Sequence, residues 1–331
     1  MNAPLTESVP DIAIDLAAIR AAHARIAPHI RRTPVLSNES LDAEAEATLF
    51  FKCENLQQIG AFKARGACNA VLSLSDAQAV RGVVTHSSGN HGAALAWAAK
   101  RRGIPAWIVM PANAAAVKQD AVRRFGGTIR FCEPTVIARE RTCAAVQAET
   151  GATLVHPYND WQVIAGQGTA ALELLAEVPQ LDAVVAPVGG GGLLSGTAIV
   201  AKAIKPSIRV YGAEPAGADD AAQSLRVGHI VPQTQPRTIA DGLRSSLGDK
   251  TFVVISAQVE GIGTVSEEGI VRAMRLTLEK LKVLVEPSAA VPLAALLERQ
   301  IALSGLRVGV ILSGGNVDLE HLPWLQHAGQ G

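Results

Sequence analysis

Short runs of β-branched and aromatic residues alternate with longer alanine-rich stretches along almost the whole chain, and this alternation constrains the fold more than any single motif. The runs "TLFFKCE", "GVVTHSS", "AWIVMP", "TIRFC", "TLVHP", "DAVVAPVG", "RVYGAE" and "RVGVILSGG" read as strands. Between them, "AALAWAAKRRG", "VKQDAVRRFGG", "ARERTCAAVQAETG" and "GTAALELLAEV" carry helical apolar spacing, several with glycines placed to end a helix. Strand, helix, strand repeated in this way builds open parallel sheets covered on both faces, so the predicted class is α/β. With 331 residues, of which 48% are hydrophobic and 18% charged, the chain can fill two cores. Polar turns interrupt the pattern near residues 78 and 160. They predict a smaller unit of residues 78–159 set between the two parts of a larger one, residues 1–77 and 160–331.

The formal net charge is zero, and lysine and arginine are scattered rather than clustered. Neither nucleic acid nor an anionic membrane is favoured by such a surface, so a small molecule is the expected partner. Cys53, Cys68, Cys132 and Cys143 lack the close pairing of a zinc site and are too few for a stapled secreted fold. The first twenty residues place acids before the first base and have no apolar core, which argues against targeting signals. No run is long enough to span a bilayer. A cytoplasmic setting is expected.

Three stretches carry chemistry. "QQIGAFKARGACNAV" sets Lys63 between a turn and what reads as a buried helix. A solvated lysine needs no such setting, whereas a desolvated amine has a lowered pKa and can act as base or carbonyl nucleophile. "APVGGGGLLSGTAIVAKAI" follows a strand and opens a helix, so converging amides from Gly189 to Gly192 and the helix amino end suit a phosphate. A dinucleotide fingerprint competes, since Gly190, Gly192 and Ser195 approximate G-x-G-x-x-G/A and Glu214 ends the next strand. That alternative does not account for Lys63. "THSSGNHGAALAWAAK" puts Ser87, Ser88, Asn90 and His91 in a turn before a helix, more polar groups than capping requires and suited to a carboxylate.

Together with "AGQGTAALE", "AEPAGADD", "IADGLRSS", "VEPSAA" and "LSGGNVD", these motifs occur in order from about residue 28 to residue 320. In that order the chain resembles the serine racemase and serine/threonine dehydratase family of fold-type II enzymes, which use pyridoxal 5′-phosphate. The resemblance implies two open-sheet three-layer α/β domains with the cofactor in the cleft between them, the smaller one mobile. It implies that Lys63 bonds to the cofactor aldehyde and later takes the Cα proton. Phe62, Asn90, Glu286 and Ser313 would surround the cofactor ring, and Gly189, Gly190, Gly191, Gly192 and Leu193 would hold its phosphate. A neutral Ser313 hydroxyl beside the pyridine nitrogen favours elimination, since it withdraws electrons less than an aspartate partner would.

Ser88 would stand on the ring face opposite the lysine, where a proton can return to Cα. Ser87, Ser88 and His91 would surround the substrate carboxylate with Ser245 nearby, His91 serving equally well as a structural turn histidine. Arg139 matches a family arginine able to reach a second carboxylate, and Ala61 before Phe62 is similar to hydroxyaspartate dehydratases. Glu214, Asp220 and the Ala218 carbonyl match a family site for Mg²⁺ or another divalent cation of structural role. A homodimer is implied. The leading expectation is a serine/threonine dehydratase, with serine racemase and 3-hydroxyaspartate dehydratase as alternatives. Different classes are a nicotinamide-dependent reductase, resting on the Gly190 turn and Glu214, and a non-catalytic binding module. After "LSGGNVD" no room is expected for a regulatory domain.

Overall fold

Alternation within each strand shows why the sheets form. From Leu49 to Cys53, Leu49, Phe51 and Cys53 enter one apolar layer while Phe50 packs into the other. The runs Ala183–Pro187 and Arg307–Leu312 divide their side chains between the same two layers. A strand apolar on both faces must lie inside a sheet covered on both sides.

The computed structural model describes residues 11–87 and 89–325. Its strands are β1 (Val35–Leu36), β2 (Thr48–Cys53), β3 (Val83–His86), β4 (Ala106–Pro111), β5 (Thr128–Cys132), β6 (Thr153–Leu154), β7 (Ala183–Pro187), β8 (Arg209–Pro215), β9 (Gly261–Val265) and β10 (Arg307–Leu312). Helices α1 (Leu16–Ile26), α2 (Glu39–Ala45), α3 (Lys63–Leu72), α4 (Asp76–Ala79), α5 (Asn90–Arg102), α6 (Ala116–Arg124) and α7 (Val136–Thr150) fill the first half. The second half holds α8 (Trp161–Glu177), α9 (Gly192–Ile204), α10 (Asp220–Val227), α11 (Asp249–Gln258), α12 (Glu267–Leu276) and α13 (Pro287–Leu297).

Six strands form one sheet in the order β1-β2-β10-β7-β8-β9, and four form a second in the order β5-β4-β3-β6. All pairings are parallel except β1 with β2. Each of the eight runs read as strands holds one, although "TLVHP" is strand only at Thr153–Leu154. β1 and β9 were not expected: the first has two residues, and the second, "GIGTV", carries two glycines where strand formers are usual.

Because β10, β7 and β8 run parallel side by side, their carboxyl ends deliver Ser313, the Gly189–Gly192 turn and Glu214 to one edge. α3 lies between the sheets. Its Ala64, Ala67, Cys68 and Val71 join the core under β3 and β4, and its other side meets α8. Beneath it, Arg65 is wholly buried and forks onto Glu54 at 2.7 and 2.8 Å and onto Glu173 at 2.8 Å, while Lys52 reaches Glu173 at 2.7 Å. Two cations balance two carboxylates, and removing any one would strand a buried charge at a cost of about 3–5 kcal/mol.

Candidate active site

Lys63 opens α3 without a capping side chain at Phe62. The preceding segment is pinned to the end of β10: the Phe62 N–H donates to the Ser313 carbonyl at 2.9 Å, and Ala61 bridges Gly314. Chain direction is reversed there by Ile59 at φ 59° and Gly60 at φ 73°, a left-handed pair that costs a β-branched residue backbone strain. Asn316 holds that strain in place, donating to the Ile59 carbonyl at 2.8 Å. The Lys63 Nζ donates to the Pro157 carbonyl at 2.7 Å and stands 5.1 Å from the Phe62 ring centroid. Burial pushes its pKa down to about 8, with the Glu286 carboxylate pulling the other way.

Asn90 and Glu286 meet on the same side. The Asn90 amide donates to both Glu286 oxygens, at 2.9 and 3.1 Å, and Asn316 donates to the Asn90 Oδ1 at 2.9 Å and through its N–H to Glu286 at 3.2 Å. Since Asn90 begins α5 and Glu286 precedes α13, this cluster ties the smaller sheet's helices to the larger sheet's. Glu286 is pushed up to about 7, chiefly by burial. Ser313 is buried at the end of β10.

Beyond the carboxyl end of β7, Gly191 takes φ 87° and the turn passes into α9, whose amino end has no side-chain cap. The glycines are required by space as well as by φ. A Cβ on Gly190 would stand 2.2 Å from the Tyr158 ring, and one on Gly189 would stand 2.9 Å from the Leu243 Cα. Leu193 itself belongs to the apolar layer under the sheet. Burial raises the Tyr158 pKa above its ordinary value, with Asp220 and Glu140 adding to it and the neighbouring Ser245 hydroxyl opposing. Tyr158 therefore remains a phenol.

Ser87 and Gly89 lie at the end of β3, where the Gly89 N–H donates to the Ser87 hydroxyl at 3.3 Å. Ser88 lies outside the described residues. His91 is buried, with Nε2 against the Val155 carbonyl at 3.2 Å and Nδ1 unpartnered among the described residues. Burial holds it well below the usual imidazole range, so it is a neutral ring. His156 is also neutral, pushed to about 4 mainly by burial, and its Nδ1 accepts the Asn159 N–H at 3.0 Å. His86, His156 and Tyr158 stack edge to face at 5.4 and 4.6 Å. Arg139, half-buried on α7, lies within electrostatic reach of both His86 and Tyr158, and its Nε rests on the Thr135 carbonyl at 3.4 Å.

The sequence singled out Lys63, Asn90, Glu286, Ser313 and the glycine turn; the fold sets Asn90 on Glu286, pins the residue before Lys63 to Ser313, and lays the glycine turn against Tyr158, next to the Pro157 carbonyl that Lys63 holds. It did not single out Pro157, His156, Tyr158 or Asn316. "VHPYND" joins a strand to a helix without glycine, so only its place between β6 and α8 marked it.

The family description "Pyridoxal-phosphate dependent enzyme" matches residues 26–314. The chain belongs to the pyridoxal-phosphate dependent enzymes. A beta-hydroxyaspartate dehydratase of Paracoccus denitrificans (strain Pd 1222) is 55% identical over 304 residues, covering 92% of this chain and 96% of that protein. A serine racemase of Arabidopsis thaliana is 54% identical over 315 residues, 94% of this chain and 95% of that one. The structure of maize serine racemase matches with a TM-score of 0.92 at 51% identity, covering 95% and 97% of the two chains. The expected α/β fold-type II architecture is therefore borne out, as is membership of the ammonia-lyase and racemase branch.

The residues present fit the cofactor of this pyridoxal-phosphate dependent family. An uncapped helix amino end behind side-chain-free glycines suits a phosphate, and a lysine amine of depressed pKa suits an aldehyde. Glu214 does not serve a ribose, as the nicotinamide alternative requires: it is buried and accepts the Ala222 N–H at 2.7 Å and the Ala221 N–H at 3.3 Å. Burial pushes Glu214 to about 9 and Asp220 to about 6, and the buried Asp220 Oδ2 has no partner among the described residues. Ala218 is buried between them in the chain. Among the described residues no group of three or more His, Cys, Asp or Glu side chains gathers to bind a metal.

Proposed function

We propose that this enzyme removes water and then ammonia from a β-hydroxy amino acid, and that its substrate is 3-hydroxyaspartate. The observation that carries the substrate is Arg139, a cation within electrostatic reach of His86 and Tyr158, beside histidines that burial keeps neutral. A second carboxylate needs such a cation, and serine and threonine have none to offer it. The name of the Paracoccus relative supports the same choice.

Bound at Lys63 and the glycine turn, the cofactor supplies an electron sink that acidifies the substrate Cα–H. Lys63 holds and moves that proton, since its lowered pKa leaves a large neutral fraction near pH 8. Asn90, held by Glu286 and Asn316, would contact the cofactor ring, and Ser313 would offer the ring nitrogen a neutral partner. The amino end of α5 at Gly89–His91, which has no side-chain cap, receives the α-carboxylate. Loss of the β-hydroxyl gives an unsaturated amine that hydrolyses to a 2-oxo acid and ammonia. Ser88, opposite Lys63 by family resemblance, adds racemisation as a side activity. We further propose that residues 78–159 close over this cleft as the mobile unit, and that the enzyme is a cytoplasmic homodimer. No helix among the described residues is long and apolar enough to cross a membrane.

Ammonia, 2-oxo acid and residual enantiomers are measured with serine, threonine and both 3-hydroxyaspartate diastereomers. One hydroxyaspartate diastereomer should exceed serine in kcat/KM by about tenfold or more, and Arg139→Gln should abolish that advantage while sparing serine. A wild-type preference for serine or threonine would return the function to a serine/threonine dehydratase.

We also propose a divalent cation between Glu214, Asp220 and the Ala218 carbonyl, because two carboxylates are buried there, burial being the chief cause of their raised pKa values, and the Asp220 Oδ2 has no partner among the described residues. Chelation should lower the melting temperature at pH 8 and Mg²⁺ should restore it, but not in Asp220→Asn. A melting curve indifferent to both treatments removes the cation.

A further inference from the structure

Gln167 is completely buried in α8, out of reach of solvent, and sits between two glycines in "AGQGTAALE". Its Oε1 accepts the N–H of Gly66 at 3.1 Å, in the first turn of α3 and three residues after Lys63. Its Nε2 has no partner among the described residues. A buried amide left half-satisfied is costly, so its retention calls for a role that an apolar residue could not fill.

The flanking glycines show what that role is. A Cβ on Gly166 would stand 2.6 Å from the Arg65 carbonyl and from the Gly66 Cα, so α8 lies backbone to backbone against the lysine helix. On its other side, a Cβ on Gly168 would stand 2.9 Å from the Gly196 carbonyl, and one on Gly196 would stand 2.5 Å from the Gly168 nitrogen. That second contact is with α9, which begins at the glycine turn. α8 is thus a spacer between the helix that carries the amine and the helix that carries the phosphate turn. Polar contacts fix its register on α3: Asn69 donates to the Gln162 carbonyl at 2.7 Å and Arg65 to the Thr169 hydroxyl at 3.1 Å. Those two act through α3 side chains, whereas the Gln167 bond holds the α3 backbone itself, three residues after Lys63.

We infer that Gln167 is a positioning residue for Lys63, fixing the first turn of α3 against α8 and so setting where the amine stands relative to the Gly189–Gly192 turn. The inference rests on Lys63 being the residue that bonds the cofactor. It predicts that loss of the Gly66 contact weakens cofactor attachment and proton transfer more than it weakens the fold.

Gln167→Met keeps the volume and removes the acceptor; Gln167→Glu keeps the acceptor. Each is reconstituted with pyridoxal 5′-phosphate alongside the wild type. Cofactor affinity, the pH midpoint of the visible band, kcat and KM are measured, and borohydride-fixed protein is mapped by mass spectrometry. Gln167→Met should lose roughly tenfold or more in cofactor affinity, shift the pH midpoint, and lower kcat with KM little changed; Gln167→Glu should recover most of this. A lower melting temperature with unchanged affinity, pH midpoint and kcat overturns the inference. If Gln167→Met does not fold, Gln167→Asn, which withdraws the acceptor by one methylene, is judged by the same outcomes. A wild-type borohydride adduct away from Lys63 overturns the underlying assignment of the lysine. An adduct at Lys63 with a silent variant overturns only the role of Gln167.

Discussion

Lys63 and Glu286 form an unequal pair in which each side chain's titration depends on its setting. Burial disfavours the ammonium and brings the amine to about pH 8, while the Glu286 anion partly restores it. Without cofactor, the folded chain therefore binds fewer protons than the unfolded one between about pH 8 and the ordinary lysine value near 10.5. Stability carries the cost of a buried cation below pH 8 and regains it as pH rises through that window. Glu286→Gln removes the anion that favours the ammonium, so the amine pKa should fall further below 8. The rate at which pyridoxal 5′-phosphate and borohydride label Lys63, followed by mass spectrometry across pH, should reach its plateau at lower pH in Glu286→Gln than in the wild type. A plateau moved upward, or a Lys63 rate still climbing near pH 10 in the wild type, would show that the amine is not held in a desolvated site.

Element by element, the chain announced its strands and helix ends well because those depend on near neighbours. Gly103 and Gly151 end α5 and α7 at φ 73° and φ 70°, a conformation glycine adopts without cost and a sequence can advertise. β9 stayed hidden because "GIGTV" gains its strand from pairing with β8, with Ile262 and Val265 packing against the cores, rather than from its own propensity. The motifs named the ends of the cleft, Lys63 and the glycine turn, through local chemistry. They could not name what joins those ends. Pro157 offers only a backbone carbonyl, which any residue could supply, and Tyr158 matters because Gly190 leaves room for its ring. Gly166, Gly168 and Gly196 look in sequence like ordinary small residues in helices, where glycine is unfavourable by about 1 kcal/mol relative to alanine. Their purpose appears only when α3, α8 and α9 are laid together at backbone contact, where packed interiors leave no space for a methyl group.

At the scale of the whole molecule, side-chain contacts among the described residues tie elements of the two sheets together. Asn90 with Glu286 is one such link, deep beside Lys63. Lys118 on α6 with Asp241 is another, between a helix of the smaller sheet's side and the loop whose Leu243 backs Gly189. Both partners of this ion pair are partly exposed, at 39% and 43%, so it adds only about 0–1 kcal/mol to global stability. A balance between open and closed forms is moved several-fold by the same amount, which makes the pair weak as a support and effective as a latch. Lys118→Met should thus leave the melting temperature nearly unchanged while raising KM by up to about fivefold. Salt separates this from a general effect: raising ionic strength from about 0.05 to about 0.5 M screens the pair and should raise the wild-type KM more than the variant's. Screening of Arg139 against an acidic substrate acts on both proteins alike and cancels in the comparison. Equal salt responses in wild type and Lys118→Met, with equal KM, would mean that the two sheets keep their separation regardless of this contact, and that the proposed closure of residues 78–159 does not depend on it.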